Sequence, residues 1–141
     1  MKFYRFLASA ALFSLLFFVT ARAQNGQRPS PEQQERQMLE YIDREVQRLS
    51  DLLDLEIWQE FYVDSTLNHD FHAMYEELNQ MQQARVGNAD LYQAVQDRWM
   101  QSIDDSYRRF FTEEQWKKYW KSGGKRAQAA RDKRARRRNS Q

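Results

Sequence analysis

The chain has 141 residues, no cysteine and a formal net charge of +2. The lack of cysteine excludes disulfides, cysteine-ligated zinc sites, iron–sulfur clusters and thiol catalysis. The small total charge conceals a division: residues 24–120 carry 10 Lys and Arg against 19 Asp and Glu, whereas residues 121–141 carry nine basic side chains and one acid, Asp132. The body is therefore acidic and the C-terminal tail is strongly basic.

The first 23 residues have the pattern of a secretory signal peptide. Two basic residues precede an uncharged segment, residues 6–19, and Ala21-Arg22-Ala23 places small side chains at the cleavage position. The uncharged segment is shorter than the roughly 20 apolar residues of a spanning helix, and a retained anchor is the alternative. We expect cleavage near Ala23/Gln24 and export to the periplasm. The mature protein should then have no transmembrane segment.

Glycine and proline are rare, and their positions predict an all-α fold. Neither residue occurs between Glu32 and Arg85, whereas an all-β sandwich needs turn signals about every 8–12 residues. The chain divides into a signal peptide (1–23), a flexible leader (24–30), one helical domain (31–122) and a basic disordered tail (123–141).

Apolar residues recur every three or four positions in three long segments, which is the spacing of one helix face. The first segment begins at a capping box, Ser30 to Gln33, and the others cover about residues 55–85 and 89–110. Gly87 is expected to close the middle helix in a left-handed conformation. The short connection predicts that the second and third helices form an elongated antiparallel hairpin, to which the first adds an N-terminal helix.

Aromatic residues cluster in two stretches that the hairpin should bring to the same end. The second stretch includes a short C-terminal helix, which begins at a capping box formed by Thr112 and Gln115 and ends at Gly123-Gly124. The two stretches either form one core or leave some rings exposed to bind a partner or a second copy. The candidate partner-binding residues are Trp58, Phe61, Tyr62, Trp116, Tyr119 and Trp120.

Residues that could support catalysis or bind a cofactor are few. His69 and His72 share one helix face, but two ligands are too few for a defined metal site, so a solvated face is expected. Carboxylates such as Asp104 and Asp105 are predicted on outer faces, where no burial would separate their pKa values for acid–base work. We therefore predict no catalytic, cofactor-binding or metal-binding residues and no enzymatic activity.

The basic tail is predicted to act through charge alone. Its candidate electrostatic residues are Arg134, Arg136, Arg137 and Arg138. Such a block serves as a solubility tail, contacts the acidic body or a neighbouring copy, or meets an anionic lipid or polysaccharide surface. An exported protein is not expected to bind nucleic acid.

Two short segments resemble the LTxxQ motif of the Spy/CpxP-like periplasmic proteins. Phe111-Thr112-Glu113-Glu114-Gln115 carries the threonine and the glutamine of the motif. A first copy would be Leu53-Asp54-Leu55-Glu56-Ile57-Trp58-Gln59, in which Glu56 stands where threonine is expected. By this resemblance, Thr112 and Gln115 would be structural residues.

The resemblance implies a helical hairpin that dimerises into a curved cradle. Spy-like members hold unfolded clients without ATP, CpxP-like members inhibit envelope-stress sensing, and related members bind zinc through a His-rich segment that has no match in this chain. The cradle of the family is basic and apolar, whereas this body is acidic. The first hypothesis is therefore an ATP-independent chaperone-like or envelope-stress accessory protein for unfolded or envelope proteins. The alternative is a structural adaptor that binds one envelope protein or an anionic surface through its aromatic end and its tail.

Overall fold

The computed structural model describes residues 30–140, and all regular structure in that range is helical. The all-α prediction is therefore confirmed, while the predicted signal peptide and nearly all of the leader lie outside the described residues. The elements are α1 (Pro31–Leu53), α2 (Ile57–Gln83), α3 (Ala89–Phe110), α4 (Glu113–Tyr119), a π-helical segment (Trp120–Gly124) and α5 (Lys125–Asn139). No helix within residues 30–140 combines the length and apolar character that crossing a bilayer requires.

Helix α1 begins and ends at well-defined caps. Ser30 and Gln33 form the predicted capping box, in which each backbone N–H donates to the other residue's side chain at 3.0 and 3.2 Å. At the other end Asp54 adopts a left-handed conformation, with φ 55°, and its N–H donates to the carbonyl of Ser50. The chain therefore breaks after Leu53 and restarts at Ile57, so α1 and α2 are separate helices.

Helices α2 and α3 form the predicted hairpin, but a different residue makes the turn. Arg85, not Gly87, takes the left-handed conformation, with φ 54°. The N–H of Val86 then donates to the carbonyl of Met81, as in a Schellman closure. Asn88 caps α3 by accepting from the N–H of Asp90. This closure requires the positive φ at the residue that follows the Ala84 cap. That residue is Arg85, so it takes the left-handed conformation although a glycine lies two positions later.

The core lies where α1, α2 and α3 meet, and it continues into the chain between α3 and α4. Tyr41 of α1 packs edge-on against Phe71 of α2 with ring centroids 5.4 Å apart. The buried apolar side chains follow the predicted stripes, and burial of this apolar area is the main stabilising term. They are Ile42, Leu49, Leu53, Val63, Leu67, Phe71, Met74, Leu78, Ile103, Tyr107 and Phe111.

The prediction of a disordered tail is wrong for residues 125–139, which form helix α5. The chain does not stop at the glycines: it kinks at Gly123, with φ 156°, and α5 continues against α3. Gly124 allows this turn because a Cβ there would lie 3.2 Å from the rings of Trp120 and Tyr119. Contact with the acidic body, one of the three roles considered for the tail, is the one that the structure shows.

Ion pairs with α3 explain why so basic a segment folds. Arg131 pairs with Asp104, and Arg134 pairs with Asp97 at 2.6 Å. Arg138 also reaches Asp97, at 3.3 Å. These contacts offset the repulsion between like charges that would oppose an isolated basic helix. The prediction that Asp104 lies on an outer face is also wrong, because only 5% of the residue is exposed.

Candidate functional site

Two helix starts, those of α2 and α4, meet through a pair of glutamine side chains. Gln59 accepts from the N–H of Glu56 at 3.0 Å, and Gln115 accepts from the N–H of Thr112 at 2.9 Å. Each amide then donates to the other's oxygen, at 2.8 and 2.9 Å. We call this arrangement the glutamine pair. Because each oxygen also caps a helix, the pair fixes α2 and α4 relative to each other.

The glutamine pair, in which Gln59 is buried and Gln115 half-buried, is tied to the ends of the preceding helices. Gln59 is 1% exposed, and its amide also donates to the carbonyl of Phe110 at 3.0 Å. The amide of Gln115 reaches the carbonyl of Leu53 at 3.4 Å. Gln59 therefore bonds a carbonyl at the end of α3, and Gln115 bonds one at the end of α1. Carbonyls at these positions lack partners within their own helix.

The predicted roles of Thr112 and Gln115 as cap residues are confirmed. The Thr112 hydroxyl accepts from the N–H of Gln115 at 3.2 Å. In the first motif Glu56 occupies the cap position, but its carboxylate accepts from the indole of Trp58 at 2.7 Å. Glu56 thus holds an aromatic side chain at the surface beside the helix start.

Four large apolar side chains lie exposed on the first two turns of α2. Ile57 is 87% exposed, Trp58 47%, Phe61 66% and Tyr62 52%. We call these four residues the α2 patch. Ile57, Trp58 and Phe61, with Leu55 and Glu56, line a shallow open depression. Contiguous exposed apolar surface of this kind marks interaction sites in soluble proteins.

Ring contacts fix the geometry of the α2 patch. Tyr62 packs edge-on against Trp58 and Phe61, with centroids 6.0 and 5.9 Å apart. It also contacts Phe110 of α3 at 5.7 Å. Since Gln59 lies between Trp58 and Phe61 in sequence and points inward, the patch is the outer face of the helix turn that the glutamine pair anchors.

The other three partner-binding candidates occupy a different environment. Trp116 and Trp120 stack at 5.3 Å and are half-buried, with the Arg108 guanidinium 5.4 Å from the Trp116 ring centre. Tyr119 packs edge-on against Tyr107 at 5.5 Å. Both aromatic stretches thus lie at one end of the hairpin, as predicted. Exposure, however, is concentrated in Trp58, Phe61 and Tyr62, while Tyr119 is half-buried against the core.

A buried polar cluster joins α3, α4 and α5 beneath these rings. The Tyr119 hydroxyl donates to Asp104, whose second oxygen accepts from Arg131. Burial, and secondarily the Asp104 charge, raises the pKa of Tyr119 above its usual range. Burial likewise raises the pKa of Tyr107. The hydroxyl of Tyr107 has no hydrogen-bond partner among the described residues.

The electrostatic tail residues divide into two groups. Arg134 and Arg138 contact Asp97, and the hydrogen bond that Arg134 donates to Asp97 raises the pKa of Arg134. Arg136 and Arg137 are exposed. The sequence contained a signal for this division. Asp97 and Asp104 are two turns apart on α3, and Arg131, Arg134 and Arg138 are spaced three and four apart, as residues on one face of a helix are.

The histidines make only local contacts within the described chain. A ring nitrogen of His69 lies 2.7 Å from a carboxylate oxygen of Asp70, and one of His72 lies 2.7 Å from the carbonyl of Asn68. Over residues 30–140 no group of three or more histidine or carboxylate side chains could hold a metal ion.

Comparison of the chain with protein-family models, with curated proteins and with solved structures found no match in any of the three. Function is therefore inferred from the residues and their contacts.

Proposed function

We propose that this protein is an exported, non-enzymatic, ATP-independent chaperone-like protein of the periplasm, which binds unfolded or partly folded envelope proteins through the α2 patch. The observation that carries the proposal is the exposure of Ile57, Trp58, Phe61 and Tyr62 on two adjacent turns. Unfolded chains expose apolar segments, and an apolar surface in a charged surround binds such segments reversibly.

The support beneath the α2 patch suits repeated binding and release. The glutamine pair fixes the start of α2, and Tyr62 is wedged against Phe110. A surface that is already ordered loses little conformational entropy when a client binds. Client chains that differ in sequence can then use the same apolar contact.

The resemblance of residues 53–59 and 111–115 to the LTxxQ motif favours the same function and suggests membership of the Spy/CpxP-like family. The two motif glutamines bond to each other, so both motifs serve one structural joint. The buried carboxylates Asp97 and Asp104 are neutralised by arginines, which commits them to holding helices together.

Suppression of aggregation tests the proposal. The protein, purified after expression of the full chain, is mixed at equimolar dose with several unrelated proteins diluted from denaturant, and light scattering is followed. We expect suppression for most clients, and at least a fivefold loss of it in Ile57→Ser/Phe61→Ser. Leu91→Ser is the matched control, because Leu91 is 47% exposed at the start of α3 outside the patch. No suppression of any client by the unchanged protein would refute the function.

A structural adaptor is the second candidate, and the small size of the α2 patch favours it. Four side chains on two turns can form a binding site for one specific partner as readily as for many different unfolded chains. In this case the patch would retain one envelope protein in a pull-down and suppress no aggregation. The molecular mass in solution adds a third outcome: a dimer that dissociates in Ile57→Ser/Phe61→Ser would show that a second copy covers the patch.

A further inference from the structure

Helix α5 has an inner face whose arginines are paired with acids of α3. Arg131 is 8% exposed and binds Asp104, while Arg134 and Arg138 bind Asp97. These three arginines, spaced three and four apart, face α3. They are committed to holding the helix in place.

The outer face of α5 carries the remaining basic side chains. At 100° per residue they fall within an arc of about 120° opposite the inner arginines. We call them the outer cations: Lys125, Arg126, Lys133, Arg136 and Arg137. All five are exposed, and none takes part in an ion pair within residues 30–140.

The one acid of α5 does not interrupt this face. Asp132 lies at its edge, and its carboxylate accepts from the amide of Gln128 at 2.8 Å. The face is therefore a row of positive charge along a helix about 22 Å long. Folding is what creates it, because an extended chain would not separate the outer cations from the arginines that face α3.

The chemistry of the outer face indicates its partner. Its largest apolar side chain is that of Ala129, so the helix has no means to insert among acyl chains. It carries no aromatic ring on which the base of a single strand could stack. A basic helix face without inserting groups is suited to adsorption on a plane of anionic head groups.

We propose that the outer face of α5 docks the protein on an anionic lipid surface, by charge and without insertion. The contact uses residues separate from the α2 patch, so the protein would bind its clients while held at a membrane. Because the outer cations are exposed, the attraction falls as salt screens it.

Vesicle co-sedimentation tests the proposal with the protein purified after expression of the full chain. The probes are vesicles of phosphatidylcholine alone and of a phosphatidylcholine–phosphatidylglycerol mixture. We expect at least tenfold stronger retention on the mixed vesicles at low salt, and loss of that retention at high salt. Equal retention on both vesicles, or salt-insensitive retention, would overturn the proposal.

A pair of matched variants separates the outer face from total charge. Lys133→Gln/Arg136→Gln/Arg137→Gln removes three outer cations, and glutamine keeps the helix propensity. Arg36→Gln/Arg44→Gln/Lys117→Gln removes three exposed charges elsewhere. We expect at least a tenfold loss in the first and less than a twofold change in the second. Equal losses would mean that net charge, not α5, drives binding, and would overturn the proposal.

Two further measurements check that the variants fold and that lipid is the preferred ligand. Circular dichroism of both variants should match that of the unchanged protein. If the first variant has lost helix, the single change Arg137→Gln replaces it, and its retention on the mixed vesicles should fall severalfold. Tighter binding to duplex DNA than to mixed vesicles at equal phosphate concentration would assign the face to nucleic acid instead. Ile57→Ser/Phe61→Ser should still bind the vesicles, which separates a failure here from a failure of the proposed function.

Discussion

Helices α4 and α5 are attached to the same three-helix core by different physical means. Helix α4 is joined through the glutamine pair, whose neutral amides bond to each other and to backbone groups, whereas α5 is held on α3 by ion pairs to Asp97 and Asp104. Neutral hydrogen bonds are almost insensitive to salt, while partly exposed ion pairs weaken as ions screen them. The two attachments therefore respond differently to salt and to mutation, and this difference can be measured.

The largest expected effect comes from the buried end of the charged attachment. Asp104→Ala removes the partner of both Arg131 and Tyr119. Loss of one member of a buried ion pair typically costs about 3–5 kcal/mol, because the remaining charge is left uncompensated. Urea denaturation measures the free energy of unfolding. Asp105→Ala, at the exposed neighbouring position, should change it by less than about 0.5 kcal/mol. A loss below about 1 kcal/mol for Asp104→Ala would show that the pair is not buried.

The neutral attachment should cost less to break. Gln59→Ala removes the side chain that bonds the Phe110 carbonyl and the Glu56 N–H, and it leaves the Gln115 amide with only the 3.4 Å contact to the Leu53 carbonyl. Each buried polar group that is left unsatisfied costs about 1–3 kcal/mol. Gln115→Ala should have a similar effect. The double substitution should cost less than the sum of the two, since they remove the same bonds. Strict additivity in denaturation experiments would argue that the two side chains do not bond to each other.

Alkaline pH should lower the stability of the protein through its buried tyrosines. Burial raises the pKa values of Tyr41, Tyr107 and Tyr119 in the folded protein. In the unfolded chain these groups ionise near pH 10. Above that pH the unfolded state has released protons that the folded state retains, so stability is complete below about pH 10 and falls as pH rises. The expected slope is about 1.4 kcal/mol per pH unit for each tyrosine, measured by urea denaturation at stepwise higher pH. A flat profile above pH 10 would contradict the burial of these rings.

The smallest expected effect is an increase in the free energy of unfolding. Tyr107 is 2% exposed and its hydroxyl has no partner in the described part of the chain. Tyr107→Phe removes this unsatisfied group while keeping the ring, and should raise the free energy of unfolding by about 1 kcal/mol. Tyr119→Phe is the contrasting control, because that hydroxyl donates to Asp104 and its loss should destabilise. If both changes destabilise equally, the Tyr107 hydroxyl has a partner.

Local sequence signals predicted most of the fold. The apolar stripes of α1, α2 and α3, and the capping boxes at Ser30 and Thr112, depend on residues within a few positions of each other. Such signals can be recognised without knowing the tertiary structure. The turn at Arg85 was missed because the glycine two residues later is the usual choice for a positive φ, and the sequence does not show which residue follows the helix cap.

The other missed features depend on contacts between distant segments. Helix α5 looks disordered from its charge alone, and it becomes a helix only because α3 places Asp97 and Asp104 opposite its arginines. The burial of Asp104 was missed for the same reason. The sequence left two alternatives for the rings of the α2 patch, a core face or an exposed surface. Only the packed structure shows that this side of α2 is uncovered.

The central claim is that α5 is a folded helix held on α3 by ion pairs. Amide hydrogen exchange of residues 125–139, compared between the unchanged protein and Asp97→Asn/Asp104→Asn, tests it most directly. We expect protection of these amides at low salt in the unchanged protein. In the double variant that protection should be lost, while the central amides of α2 stay protected. Amides in residues 125–139 that exchange at the rate of an unstructured chain in the unchanged protein, or that stay protected in the variant, would contradict the claim.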